Sequence, residues 1–199
     1  MPHAVLRLYT DSGELVSKLK KNEAEVRELL SSIPGFLFYG IADTGTGAFT
    51  FTSCDDKAGT DESIARAAGW IKANMPDANI APPRIIEGEA ALQIVTRPAA
   101  ATGAHILLRR FGAEPLALLR NNEAKIRELM TSVASFSTYI VLDTGSGGVS
   151  LTVADNKAGT DEVASHMVPW IQSQLPGVNP VETIEGDDAL HFGSQGVPA

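Results

Sequence analysis

Lys57-Ala58-Gly59-Thr60-Asp61-Glu62 recurs one hundred residues later as Lys157-Ala158-Gly159-Thr160-Asp161-Glu162. The match spreads outward from this stretch. Asn22-Glu23-Ala24 returns as Asn122-Glu123-Ala124, Arg27-Glu28-Leu29 as Arg127-Glu128-Leu129, and Asp43-Thr44-Gly45 as Asp143-Thr144-Gly145. Trp70-Ile71 returns as Trp170-Ile171, and about 25 of 58 positions agree without a gap between 22–79 and 122–179. After small length changes His3 also matches His105, and Ile86-Glu87-Gly88 matches Ile184-Glu185-Gly186. A 199-residue chain is therefore two copies of one unit of roughly 90 residues, which is domain size. We divide it into repeat 1 (1–95), a linker (96–104) rich in Pro, Gly and small residues, and repeat 2 (105–199).

The repeated stretch also marks the start of a helix. Thr60 or Asp61 reads as its cap, and Asp61 and Glu62 suit the positive end of the helix dipole. Ile64, Ala67, Ala68, Ile71 and Met75 form its apolar stripe, and Pro76 stops it. Upstream, 4–10 reads as a strand. Residues 13–33 read as one amphipathic helix ended by Pro34-Gly35, and 36–42 and 48–54 read as a hairpin turning at Asp43–Gly47. A last strand falls near Ala90–Val95. The order β-α-β-β-α-β is the ferredoxin-like motif, here in tandem within an α+β chain. Phe36-Leu37-Phe38-Tyr39 and Ala48-Phe49-Thr50-Phe51 lack a clean apolar–polar alternation, so both faces of the sheet are expected to be covered: one by helices, the other by the second copy.

Composition narrows the function classes. Sixteen Lys+Arg against 24 Asp+Glu leave a net charge of -8, with no clustered basic patch for nucleic acid. No apolar run approaches a membrane span. Met1-Pro2-His3-Ala4-Val5-Leu6-Arg7 has neither the basic start nor the apolar core of a signal peptide, and a single cysteine suits a reducing cytoplasm.

On these residues the chain resembles the dimeric α+β barrel superfamily, in particular the small bacterial proteins of the antibiotic-biosynthesis-monooxygenase type. The resemblance rests on the element order, the duplication, and the stretch from Lys57 to Glu62 with Trp70-Ile71. It implies two ferredoxin-like repeats forming an intramolecular dimeric α+β barrel. It also implies a range of activities: cofactor-free oxygenases, haem-handling enzymes, isomerases, and proteins without known activity.

Candidate site residues follow from strand and helix periods. His3, Val5, Arg7 and Tyr9 share one strand face, as do His105, Leu107, Arg109 and Phe111. In the catalytic reading Arg7 and Arg109 orient an anionic or phenolic substrate, and His3 and His105 move a proton. The plainer reading frays the histidines and pairs the arginines with carboxylates. Asn22 and Asn122 fall in an apolar helix stripe, where an amide must find a ligand or the backbone. Tyr39, Trp70, Tyr139 and Trp170 are aromatic walls in the ligand-binding reading and core residues otherwise. No metal is expected: the acidic loop lacks the spacing of a calcium loop, and the four histidines with Cys54 lack that of zinc. No cofactor is assigned. A haem would require His166 or His191 as axial ligand, positions held by Arg66 and Gln93 in repeat 1.

The functional expectation is a small-molecule-binding protein acting as a cofactor-independent oxygenase. Its rival is a non-catalytic binding or assembly protein of the same fold, and either could be a monomeric pseudo-dimer or a homodimer. A catalyst needs convergent polar groups in a pocket of roughly 300 Å³ or more. A structural module would fill that space with Phe36, Phe38, Phe49 and Phe51. Finding His3 and Arg7 on the outer surface would end the enzyme reading.

Overall fold

The computed structural model describes residues 1–11, 14–78, 80–97 and 103–193. Of the expected linker 96–104, residues 98–102 lie outside the described residues. Repeat 1 contains β1 (His3–Tyr9), α1 (Leu15–Lys21), α2 (Glu23–Ser31), β2 (Phe36–Asp43), β3 (Ala48–Cys54), α3 (Lys57–Asn74) and β4 (Arg84–Val95). Repeat 2 contains β5 (His105–Phe111), α4 (Ala113–Asn121), α5 (Glu123–Thr131), β6 (Phe136–Asp143), β7 (Gly148–Ala154), α6 (Lys157–Gln174) and β8 (Glu182–Gly193). The class is α+β, and each repeat is ferredoxin-like. The strands pair antiparallel in the orders β1-β3-β2 and β8-β5-β7-β6-β4.

The chain groups into two compact units whose limits differ from those of the repeats. One joins Met1–Glu87 to the end of β8 from Asp188, and the other runs from Gly88 to Asp187. In the first unit β3 lies between β1 and β2, with Arg7 opposite Thr50 and Tyr39 opposite Thr52. In the second, β5 pairs with β7 and with the first half of β8, while Glu89–Val95 of β4 pairs with β6. Strands β4 and β8, of twelve residues each, thus divide their length between the two units.

Each unit buries a helix-to-sheet core. In the first, Leu15, Leu19, Val26 and Leu30 pack on Tyr39, Ile41 and Trp70; in the second, Leu116, Leu119, Ile126 and Met130 pack on Tyr139, Val141 and Met167. Leu6, Leu8, Phe49 and Phe51, on the opposite phase of β1 and β3, are buried too, so both sheet faces are covered as the strand composition implied.

Three local expectations change. The single helix over 13–33 is two helices meeting at Asn22, and the same break falls at Asn122. An asparagine amide competes with the backbone ladder, and here each one donates to the carbonyl four residues back. The cap of α3 is Asp56 rather than Thr60 or Asp61: its carboxylate accepts the Gly59 N–H at 3.0 Å, and Asn156 does the same for Gly159. Finally, β4 begins at Arg84, before the expected Ala90. Gly59 and Gly159 are required by space, because a Cβ at Gly59 would sit 2.7 Å from the Cβ of Cys54 and one at Gly159 would run into the side chain of Ser135.

Candidate functional site

The alternation of β1 turns His3, Arg7 and Tyr9 toward α3. His3 and Arg7 are 7% and 2% exposed, so neither lies on the outer surface. Their roles diverge, however. His3 Nδ1 lies 2.8 Å from the hydroxyl of Thr60, and His105 Nδ1 lies 2.8 Å from that of Thr160. Each threonine hydroxyl donates its one proton to the carbonyl of Lys57 or Lys157 at 2.9 Å. It must therefore accept from the histidine, which fixes Nδ1 as the protonated nitrogen. The histidines tie the first strand of each repeat to the start of its long helix. They do not line the cavities beside the arginines, which separates the expected His–Arg pairs.

Arg7 reaches across β3 to α3. Its Nη1 donates to Thr52 at 3.0 Å and, more weakly, to Thr50 at 3.4 Å, while Nη2 donates to Ser63 at 2.6 Å. Ser63 passes its own proton to the Thr60 carbonyl. No ion pair to Arg7 occurs among the described residues, and burial pulls its pKa below the usual arginine value. The guanidinium lies beside a cavity of about 30 Å³, also lined by Tyr9, Tyr39, Thr50 and Trp70. Burial pushes the phenols of Tyr9 and Tyr39 upward, so both stay protonated at neutral pH. Trp70 spends its indole N–H on Glu25 at 2.9 Å. Cys54 is no nucleophile: burial and the nearby Asp56 and Asp55 raise its thiol to about 11.

Repeat 2 keeps the arginine and changes its surroundings. Val163 stands where Ser63 stood, and Phe111 where Tyr9 stood. Arg109 is half-buried and makes no hydrogen bond or ion pair among the described residues. Burial pulls its pKa below the usual arginine value, opposed by the electrostatic influence of Tyr139, Asp161 and Glu185, and both carboxylates are bonded to Lys157. The cavity beside Arg109 measures about 70 Å³ and is lined by Phe111, Tyr139, Ser150, Thr152, Met167 and Asn179, among others. Burial lifts Tyr139 to about 12.

Of the expected ligand-binding residues, Tyr39, Trp70 and Tyr139 line these cavities. Asn22 and Asn122 do not, because their amides close on their own helices, and Trp170 is also absent from the lining. The residues that sequence reasoning missed are Thr52 and Ser63 in repeat 1, and Ser150 and Thr152 in repeat 2. Their signal was present: Thr50 and Thr52 recur as Ser150 and Thr152 on one strand face, and Ser63 lies one helical turn beyond Thr60. Both cavities are smaller than the roughly 300 Å³ of a drug-sized pocket. Neither lining contains a histidine, aspartate or glutamate to serve as a base near neutral pH.

No protein-family model matches the chain, and no curated protein sequence matches it. Solved structures do. A candidate monooxygenase from Fusobacterium nucleatum superposes with a TM-score of 0.69 at 10% identity, covering 100% of this chain and 97% of its own. What the two share is the fold, two ferredoxin-like α+β repeats, carried here on one polypeptide. An anthrone oxidase-like protein shares the barrel at a TM-score of 0.59 and 14% identity, covering 100% of this chain and 96% of its own. A chlorite dismutase from Candidatus Nitrospira defluvii does so at 0.59 and 5%, covering 94% and 90%. At these identities the likeness establishes the barrel and leaves its chemistry to the side chains.

The two histidines named for a haem lie away from these cavities: His166 Nδ1 is 3.0 Å from Ser132, His191 Nδ1 is 2.7 Å from Asp188, and neither lines the cavity beside Arg7 or that beside Arg109. Among the described residues there is no cluster of His, Cys, Asp or Glu able to hold a metal ion, and no helix is long and apolar enough to cross a membrane.

Proposed function

We propose that this barrel binds a small organic acid or phenol in the cavity of repeat 2. One observation carries the reading: Arg109 lines that cavity and its guanidinium has no partner among the described residues. A planar, permanently charged fork of donors is suited to a carboxylate or phenolate. Phe111 and Tyr139 offer flat walls for a ring, and Ser150 and Thr152 offer hydroxyls for a second oxygen. Each water needs about 10–15 Å³ of such space, so 70 Å³ admits roughly five waters. That suits one ring and excludes a fused tricyclic ligand.

The same arginine supplies the step a cofactor-independent oxygenase requires. A cation against a bound phenol favours its ionised form, and a phenolate surrenders an electron to dioxygen more readily than a phenol. With no base in the lining, ionisation would rest on Arg109 alone, with the proton leaving to solvent. The non-catalytic reading draws on that same missing base. His3, Arg7 and His105 take no direct part under either reading.

Calorimetric titration with 4-hydroxybenzoate and benzoate tests the binding. We expect saturable binding that Arg109→Gln weakens at least tenfold. Absence of binding at millimolar concentration, or equal affinity in the variant, would overturn the proposal. Oxygen uptake by the loaded protein then separates oxygenase from binding module.

A further inference from the structure

We propose that the cavity of repeat 1 is a site for a small inorganic anion of halide size, held by the Arg7 guanidinium and the hydroxyls of Tyr9 and Tyr39. All of its residues lie in repeat 1, so it stands independently of the ligand assigned to repeat 2.

Charge is the first argument. Arg7 is 2% exposed, and its three hydrogen-bond partners are neutral hydroxyls. A buried cation without a counter-charge is strongly disfavoured, and the cavity lining contains no carboxylate.

The second argument is an excess of donors. A guanidinium has five N–H groups and accepts nothing. Thr50, Thr52 and Ser63 engage three of them. Nε–H and one Nη2–H remain, and among the described residues Nε is the one buried side-chain nitrogen or oxygen with no partner. Tyr9 and Tyr39 line the same cavity, and neither hydroxyl has a hydrogen bond among the described residues. Burial holds both as O–H groups, so they too are donors. Three donor groups thus meet at one cavity whose lining carries no negative charge. An anion satisfies all of them and balances the charge.

Size selects the class. About 30 Å³ has room for roughly two waters, too little for a ring. A single halide fits. Water alone would satisfy the hydrogen bonds and leave the charge unbalanced. Repeat 2 does not duplicate the site: Phe111 removes one of the phenols, and Arg109 is partly open to solvent.

Crystals of the full chain grown without chloride and soaked in sodium bromide test this directly. An anomalous peak beside Arg7 Nε is expected. In solution, bromide or chloride should raise the melting temperature along a saturating curve at constant ionic strength, with gluconate as the balancing anion. Tyr9→Phe and Tyr39→Phe, which preserve shape, should each weaken that halide response about tenfold, as loss of a charge-assisted hydrogen bond predicts. Bromide peaks confined to the surface, water density alone beside Nε, or a melting shift that is the same for every anion would each overturn the proposal.

Discussion

Arg7 and Arg109 occupy equivalent strand positions and meet opposite treatment. Repeat 1 surrounds its arginine with Thr50, Thr52 and Ser63, leaves about 30 Å³ beside it, and seals it from solvent. Repeat 2 substitutes Val163 for Ser63, leaves its arginine without a partner among the described residues, and opens about 70 Å³. The difference rests on the polar acceptors rather than on the fold, since the strands pair in the same register in both copies. A duplicated scaffold can therefore hold one arginine in place and release the other for a ligand.

The largest expected effect comes from making repeat 1 resemble repeat 2. Ser63→Val removes a 2.6 Å acceptor from a buried guanidinium. Such a loss costs about 2–3 kcal/mol, or roughly 5–10 °C in melting temperature for a chain of this size. Calorimetry checks it, and an unchanged melting point would mean that Ser63 does not hold Arg7.

A feature common to both copies should respond alike in both. Thr60→Val and Thr160→Val each break the histidine tether and should each cost about 1–2 kcal/mol. Chemical denaturation of the two variants would expose any hidden asymmetry as unequal losses.

The reverse exchange, Val163→Ser, offers Arg109 an acceptor inside the cavity. We expect about tenfold weaker binding of 4-hydroxybenzoate, since roughly one charge-assisted hydrogen bond must be displaced. Unchanged affinity would break the link between acceptor and pocket.

Alkaline titration compares the tyrosines. Tyr139 is raised by burial to about 12 from 10.0. The unfolded chain therefore loses this proton first, and stability falls as pH rises from 10 toward 12. The fall attributable to Tyr139 is about 2 kcal/mol, and Tyr139→Phe should flatten the curve by that amount. Tyr39 is shifted further in the same direction, so Tyr39→Phe should flatten it more.

The smallest effect concerns His191, which Asp188 raises above 6.5 through a side-chain hydrogen bond. Its contribution is complete below 6.5 and fades as pH climbs past the raised value. His191→Gln should remove a slope of less than about 1 kcal/mol from the stability profile.

Much of the barrel was legible because its signals are local and periodic. The repeat needs only self-comparison. The hairpins show in Asp43-Thr44-Gly45 and Asp143-Thr144-Gly145, whose glycines adopt φ of 85° and 79°. Arg7 was read as a candidate because the two-residue period turns it with His3 toward one face, and that face does pack on α3. The same period could not say that the histidine would stop at Thr60 while the arginine went on to Ser63. That depends on how α3 sits across the strands. That the Asn22 amide meets either a ligand or the backbone was legible, but the break there was not, because helical spacing runs unbroken through it.

By itself the sequence determined the duplication, the β-α-β-β-α-β order of each copy and the covered faces of the strands. These follow from short-range geometry, in which a two- or 3.6-residue period and a turn glycine act within a few residues. Only the tertiary structure decided which polar groups meet. Whether an arginine is sealed or available turns on residues 43 to 56 positions away in the chain, as with Thr50 and Ser63 around Arg7. Contacts at such separation are selected by the packing of whole elements, and no local pattern encodes them.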